Sequence, residues 1–175
     1  ALVRQDLRSL WLAAYQSHLW NQMLAAVLEH NCRPEDLRKQ RIARQELPFF
    51  TKLPAEDRDW LLAFQMPLPS ARLHLEPGDL KDLIDDVMSA EGMELREVRV
   101  KFPRDAFFSR GERPAIFRPE YLKHETADDE LYPGRSKLTL KFTLRRGSYA
   151  TIFVKRITGL AWADEEEDEE APSEE

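Results

Sequence analysis

One cysteine in 175 residues, Cys32, excludes an internal disulfide and any metal centre built from several thiolates. The four histidines, His18, His30, His74 and His124, stand at no ligand spacing with it or with one another, so no zinc or iron site is expected. No apolar run is long enough to span a bilayer and no signal-peptide pattern is present, so a cytoplasmic protein with no membrane partner is the expectation. Internal repeats are absent. What remains is a chain with 42% hydrophobic residues, enough to bury a core as one domain or as part of one.

The net charge of −6 conceals its distribution. Residues 164–175 hold nine acidic side chains and no basic one, which leaves 26 basic against 23 acidic in residues 1–163. Residues 94–163 alone carry 15 Lys and Arg against 9 Asp and Glu. A basic C-terminal half suits a phosphate-rich partner. The tail is too acidic and too poor in large apolar groups to fold, and it reads as a disordered, solubilising end.

Apolar spacing predicts a helix over 6–30, with Leu7, Leu10, Trp11, Ala14 and Leu24 on one face and Leu12, Leu19, Met23 and Val27 on another, so that most of its circumference is buried. Trp11 and Trp20 are assigned to core packing and His18 to a satisfied core position. Asn31 stands where a left-handed cap would sit, and Pro34 stops continuation. Residues 33–44 read as a charged helical connection. A short helix follows over 55–64, with Trp60, Leu61 and Phe64 as a packing patch. Asp79 is the expected N-cap of an amphipathic helix through Leu80, Leu83, Ile84, Val87 and Met88, stopped by Gly92. Strands are expected over 95–102 and 115–122, and a polar loop over 124–134.

The strongest local signal is 137–157. Leu138, Leu140, Phe142 and Leu144 alternate with Lys137, Thr139, Lys141 and Thr143, as in a strand with one apolar face. Arg145, Arg146 and Gly147 turn the chain. Ser148 is the expected N-cap of a helix whose stripe is Ala150, Phe153, Val154 and Ile157, a helix being preferred here over a strand; Gly159 ends it. A basic strand-to-helix junction is suited to holding an anion. The fold class expected is α+β, helices packed on an antiparallel sheet.

Three runs of residues carry a resemblance: the helix segment from Arg8 to Gln22, RSLWLAAYQSHLWNQ; Arg118-Pro119-Glu120-Tyr121-Leu122; and the L-x-F-x-L-x-x-GSYAT pattern from Leu140 to Thr151. Together they resemble the C-terminal half of the tRNA pseudouridine synthase D (TruD) family. The resemblance implies a pseudouridine-synthase-like catalytic fold that isomerises a uridine of tRNA without metal or cofactor. An aspartate does the covalent or general-base work, an aromatic ring stacks on the flipped base, and a basic group pairs with the aspartate. Flipping is required because the reacting glycosidic bond must leave the stack. By the resemblance, Tyr149 falls on the pocket aromatic, with Gly147 and Ser148 shaping the backbone beside it.

For Arg145 and Arg146 two readings stand open, solvated turn cations or phosphate contacts that position RNA. Lys141, Arg113 and Arg118 are further candidates for the RNA face. The family's aspartate motif, roughly Gly-x-Lys-Asp-x-x-Ala-x-Thr, is absent. Lys81-Asp82 is a partial look-alike with Asp85 where Ala belongs, and an acidic residue in a first helical turn is ordinary. Residues 1–163 are therefore expected to be the C-terminal part of such an enzyme, with 32–79 a variable middle segment. Its partners would be tRNA and the remaining N-terminal half, the whole being monomeric; this chain by itself would be inactive. The alternative is a non-catalytic RNA-binding or interaction module that keeps the scaffold.

Overall fold

The computed structural model describes residues 4–42, 45–101 and 107–158. Phe102, Gly159 and the acidic tail, about which the sequence raised expectations, lie outside the described residues. The chain divides into two compact units, Ala1–Ile116 and Phe117–Glu175.

The first unit is organised by helix α1, Gln5–Asn31. Its Leu19, Met23 and Val27 meet Ile84 and Met88 of helix α3, Asp79–Ala90, together with Met66 and Val98. One turn further on, Leu28 and Cys32 close a second cluster with Leu61 of helix α2, Ala55–Ala63, and Ala115. Burial stops short of the helix start. Leu10 is 63% and Trp11 59% exposed, and Leu7 is exposed too. The expectation of burial around most of the helix, Trp11 included, is corrected here, because the core elements that pack on α1 reach only from about Tyr15 onward. Asn31 is not a left-handed cap either. It remains helical and its Nδ2 donates to the Val27 carbonyl at 2.8 Å.

Residues 33–44 correct the helical expectation as well. A single 3-10 turn, Pro34–Asp36, leads into strand β1, Leu37–Ile42, which pairs antiparallel with β2, Gln45–Phe50. Arg38, Lys39 and Arg41 face solvent, and no apolar stripe of helical period exists to bury. Pro48 is tolerated within β2 because both strands of a two-stranded ribbon are edges.

Between α2 and α3 the chain runs through the interior with a three-residue strand as its one regular element. Met66, Pro67, Leu68, Pro69 and Ser70 are all buried. Buried backbone needs partners, and two prolines reduce the demand by removing two N–H donors. The rest is met locally. Strand β3, Gln65–Pro67, pairs with β4, Glu112–Pro114. The Leu68 amide donates to Gly111 at 2.8 Å and the Ala71 amide to Val98 at 2.9 Å. Helix α1 supplies the remaining donors from one face, since Trp20 Nε1 donates to the Met66 carbonyl at 3.2 Å and Gln16 Nε2 to the Pro69 carbonyl at 2.9 Å. Gln16 is buried and also spans to Ser109, donating to its carbonyl at 2.7 Å and accepting from its amide at 3.2 Å.

Asp79 is the first residue of α3 rather than its cap; Gly78, at φ 147°, takes that place. Gly92 follows the helix at φ 71°, as expected of a stop. His18 Nε2 lies 2.8 Å from Glu91 Oε1, which ties α1 to the end of α3. The strand expected over 95–102 is absent from its described residues, 95–101. Glu94 and Glu97 cap each other's backbone around a 3-10 turn, Leu95–Glu97, and Val98 enters the core with Leu95 packed against it.

The second unit is a long hairpin and a helix. Strand β5, Glu120–Asp128, pairs antiparallel with β6, Ser136–Thr143, and helix α4 covers Ala150–Thr158. Residues 124–128 are therefore strand, not loop, and of the strand expected over 115–122 only 120–122 are strand, as the start of β5, while 115–119 have no regular structure. Asp129 Oδ1 accepts from the Leu131 and Tyr132 amides at 2.8 and 3.1 Å, which closes the connection. Phe142 meets Phe153 of α4 edge-on at 4.8 Å between ring centres, whereas Val154 and Ile157 of the expected stripe stay exposed. The α+β class holds, with the strands paired as three separate antiparallel ribbons.

Two predictions follow from the first unit. Gln16→Leu keeps the volume but strands the Ser109 amide and carbonyl and the buried Pro69 carbonyl, so unfolding free energy should fall by about 1–3 kcal/mol; a urea midpoint equal to the wild type would contradict the anchoring role. The Cys32 thiol is held above its usual range by burial and then by Asp57 and Asp36, and the Tyr15 hydroxyl by burial and then by Glu91. The native state then keeps protons that the unfolded chain has released. Stability should decline as pH rises from about 8.5, the unfolded thiol value, through the higher folded values. Urea melts at neutral and alkaline pH test this, with Cys32→Ala expected to show the shallower alkaline loss.

Candidate nucleic-acid interface

The junction from β6 to α4 is built from the backbone outward. After Thr143 the chain leaves the ladder, and the Ser148 amide donates to the Arg145 carbonyl at 3.1 Å, closing a turn. Gly147 sits in that turn at φ 93°, a conformation L-residues rarely adopt. Helix α4 then starts at Ala150, so Tyr149 and not Ser148 directly precedes it. The Tyr149 carbonyl accepts the first helical bonds, from Ile152 at 3.1 Å and Phe153 at 3.4 Å. Its ring is 55% exposed. An aromatic set at a helix start, beside a glycine turn, presents a planar face together with the open first-turn amides.

Cations surround this turn. Arg145 Nε donates to Glu120 Oε1 at 3.0 Å, which fastens the turn to the beginning of β5. Arg146 and Arg118 are exposed, and among the described residues neither meets a carboxylate. Lys141 faces Lys123 directly across the β5–β6 ladder. Arg113 belongs to the first unit, where its guanidinium lies 5.9 Å above the Trp20 ring. The candidates Gly147, Ser148, Tyr149, Arg145, Arg146, Lys141 and Arg118 share the second unit.

Three residues of this region escaped the sequence reading. Glu120 is the partner of Arg145. Lys123 forms the like-charged cross-strand pair. Tyr121 is 82% exposed and has φ 54°, the one non-glycine residue with positive φ among those described. That conformation costs an L-residue about 1–2 kcal/mol. It coincides with a register shift between Glu120 and Lys123, where Tyr121 and Leu122 drop out of the ladder. The Arg-Pro-x-x-Leu run was the available signal, but it does not reveal a bulge.

Asp82, the partial look-alike for a catalytic aspartate, is exposed in the first turn of α3, and Lys81 is ion-paired with Asp85 one turn on. No three His, Cys, Asp or Glu side chains converge as a metal ion would require among the described residues, and none of the described helices is long and apolar enough to cross a membrane.

Comparison with known proteins agrees with this architecture. The family model for tRNA pseudouridine synthase D (TruD) matches residues 1–157. A Methanocaldococcus jannaschii protein designated "Probable tRNA pseudouridine synthase D 2" is 31% identical over 155 residues, covering 88% of this chain and 36% of its own. The Aquifex aeolicus tRNA pseudouridine synthase D is 26% identical, covering 87% and 37%. A crystal structure of the Methanosarcina mazei protein designated tRNA pseudouridine synthase D superposes with a TM-score of 0.59 at 24% identity, covering 89% of this chain and 39% of that one, and so shares the fold. The chain spans under two-fifths of the length of these relatives. With the motif-bearing helix α1 at one end of the matched region and the Gly147–Thr151 turn near the other, the chain belongs to the tRNA pseudouridine synthase D (TruD) family.

Proposed function

We propose that this chain is the C-terminal portion of a cytoplasmic, monomeric enzyme that isomerises a uridine of tRNA to pseudouridine. The observation that carries the reading is the family match across 157 residues at little more than a third of the relatives' length. In this reading the nucleophilic or basic aspartate comes from the remaining part of the enzyme. Tyr149 stacks on the flipped uracil, and the Gly147–Ser148 backbone lets the base approach the start of α4. Flipping exposes the glycosidic bond, and an aromatic wall compensates the flipped base for its lost stacking. Arg146, Arg118 and Lys141 take phosphates, joined by Arg145 when it exchanges Glu120 for RNA. Phosphate contacts position the substrate without reading its sequence. Arg113, stacked on Trp20, contributes from the first unit. No metal or organic cofactor is assigned. The absence of the Gly-x-Lys-Asp motif from these 175 residues favours a second reading, an RNA-binding module that retains the scaffold without chemistry.

Two measurements separate and test these readings. The 175-residue chain alone should form no pseudouridine on tRNA, while a longer enzyme that includes it should. In that longer enzyme Tyr149→Ala should lower turnover by roughly tenfold to a hundredfold with tRNA affinity within about threefold. Wild-type turnover by that variant would remove Tyr149 from the pocket, and no turnover by the longer enzyme would leave the binding module. For the basic turn, Arg146→Ala should reduce the slope of log affinity against log salt by about 0.7–0.9, and Arg145→Ala by less, since Arg145 first gives up Glu120. An unchanged slope for both would take the turn out of the interface.

A further inference from the structure

Two unfavourable local features coincide at one end of the β5–β6 hairpin. Tyr121 holds a left-handed backbone with its ring in solvent, although a glycine there would be relaxed. Two positions on, Lys123 stands directly opposite Lys141, a like-charge pair that opposes strand association. Neither lysine meets a carboxylate within ion-pair distance among the described residues, in contrast to Lys137, which pairs with Glu130 at 2.6 Å. The fold itself gains nothing visible from either feature. The Tyr121 ring adds no burial, and Glu120 beside it is already engaged by Arg145.

One class of ligand answers both. A single-stranded nucleic acid brings anionic phosphates for the opposed lysines and a flat base for an exposed ring. Aromatic side chains interleaved with unpaired cations are how such strands are held. Strained residues of this kind concentrate at ligand contacts when the surrounding structure fixes them. Here the fixing element is the register of the hairpin, paired at Glu120–Thr143 on one side of Tyr121 and at Lys123–Lys141 on the other.

We propose that Tyr121, held out of the β5–β6 ladder beside the Lys123–Lys141 pair, is a stacking platform for an unpaired RNA base. This base is distinct from the uridine assigned to Tyr149. The inference rests on the RNA-docking reading above and extends it, since nothing in the shared family motif assigns Tyr121 a role. Double-stranded RNA presents no free base face, so the platform favours looped or single-stranded substrate.

The test uses the full chain, a labelled single-stranded RNA of roughly ten nucleotides and a blunt duplex of the same length. Tyr121→Asn and Tyr121→Gly both suit the left-handed backbone and lack the ring. Their thermal midpoints should be no lower than the wild type, while single-strand affinity falls about tenfold and duplex affinity stays put. Tyr121→Phe should bind within about twofold of wild type. If the ring-less variants bind single strands as tightly as wild type, Tyr121 is a structural bulge and the proposal fails alone. If Phe, Asn and Gly lose affinity equally, the backbone and not the ring is responsible, and it fails again. No RNA binding by the wild-type chain would bring down the docking reading together with it.

Discussion

The buried run from Met66 to Ser70 imposes the constraint around which the first unit is arranged. Irregular backbone in an interior must find hydrogen-bond partners for every group it removes from water. Pro67 and Pro69 delete two of those groups, and Trp20 and Gln16, one helical turn apart on α1, answer two of the carbonyls that remain. That pairing fixes both the rotation of α1 about its axis and its depth. Leu19, Met23 and Val27 then point at α3, and Leu28 and Cys32 at α2. The same Gln16 reaches Ser109, so the segment leading to β4 is held by the side chain that holds Pro69. The polar contacts set the geometry and the apolar ones supply the stabilisation.

Sequence reveals such an arrangement unevenly. Segments α1, α2 and α4 were legible as helices from their apolar residues, but in α1 and α4 those residues do not mark the buried face. Helix α3 was legible because an apolar stripe of helical period records which face is buried. Strand β6 was legible for the same reason at period two. Strand β5 was not, since its residues show no apolar alternation and His124-Glu125-Thr126 reads as loop. β1 and β2 were hidden by charge and by Pro48. The turn carrying Tyr149 could be located to within a residue from Gly147 and the family motif. Tyr121 could not, because a positive φ at a tyrosine contradicts local preference and is fixed by the register of β5 against β6. Places where local preference is overridden are where function or strain is to be sought.

The two units contribute differently to the proposed enzyme. The first is a packed scaffold whose polar side chains are largely spent on its own backbone, as Gln16, Trp20 and Asn31 illustrate. The second spends few. Its hairpin is largely exposed, Arg118, Lys123, Lys141 and Arg146 meet no carboxylate among the described residues, and Phe142 packed on Phe153 joins strand to helix. A two-stranded ribbon is marginal by itself in water. A surface of that kind is better matched to a large polyanion than to a small molecule, which would require an enclosed pocket.

All four methionines of the chain lie in the first unit. Met23, Met66 and Met88 sit at its centre and Met93 accepts from the Tyr15 hydroxyl. Unbranched thioethers change rotamer at little expense, so the seam between α1 and α3 is compliant where a leucine or isoleucine seam would be brittle. The scaffold can thus absorb small sliding movements of α1 without opening a void. The sulfurs of Met23, Met66 and Met88 give that seam a chemical weakness: oxidation to the sulfoxide would set a polar oxygen among buried apolar side chains.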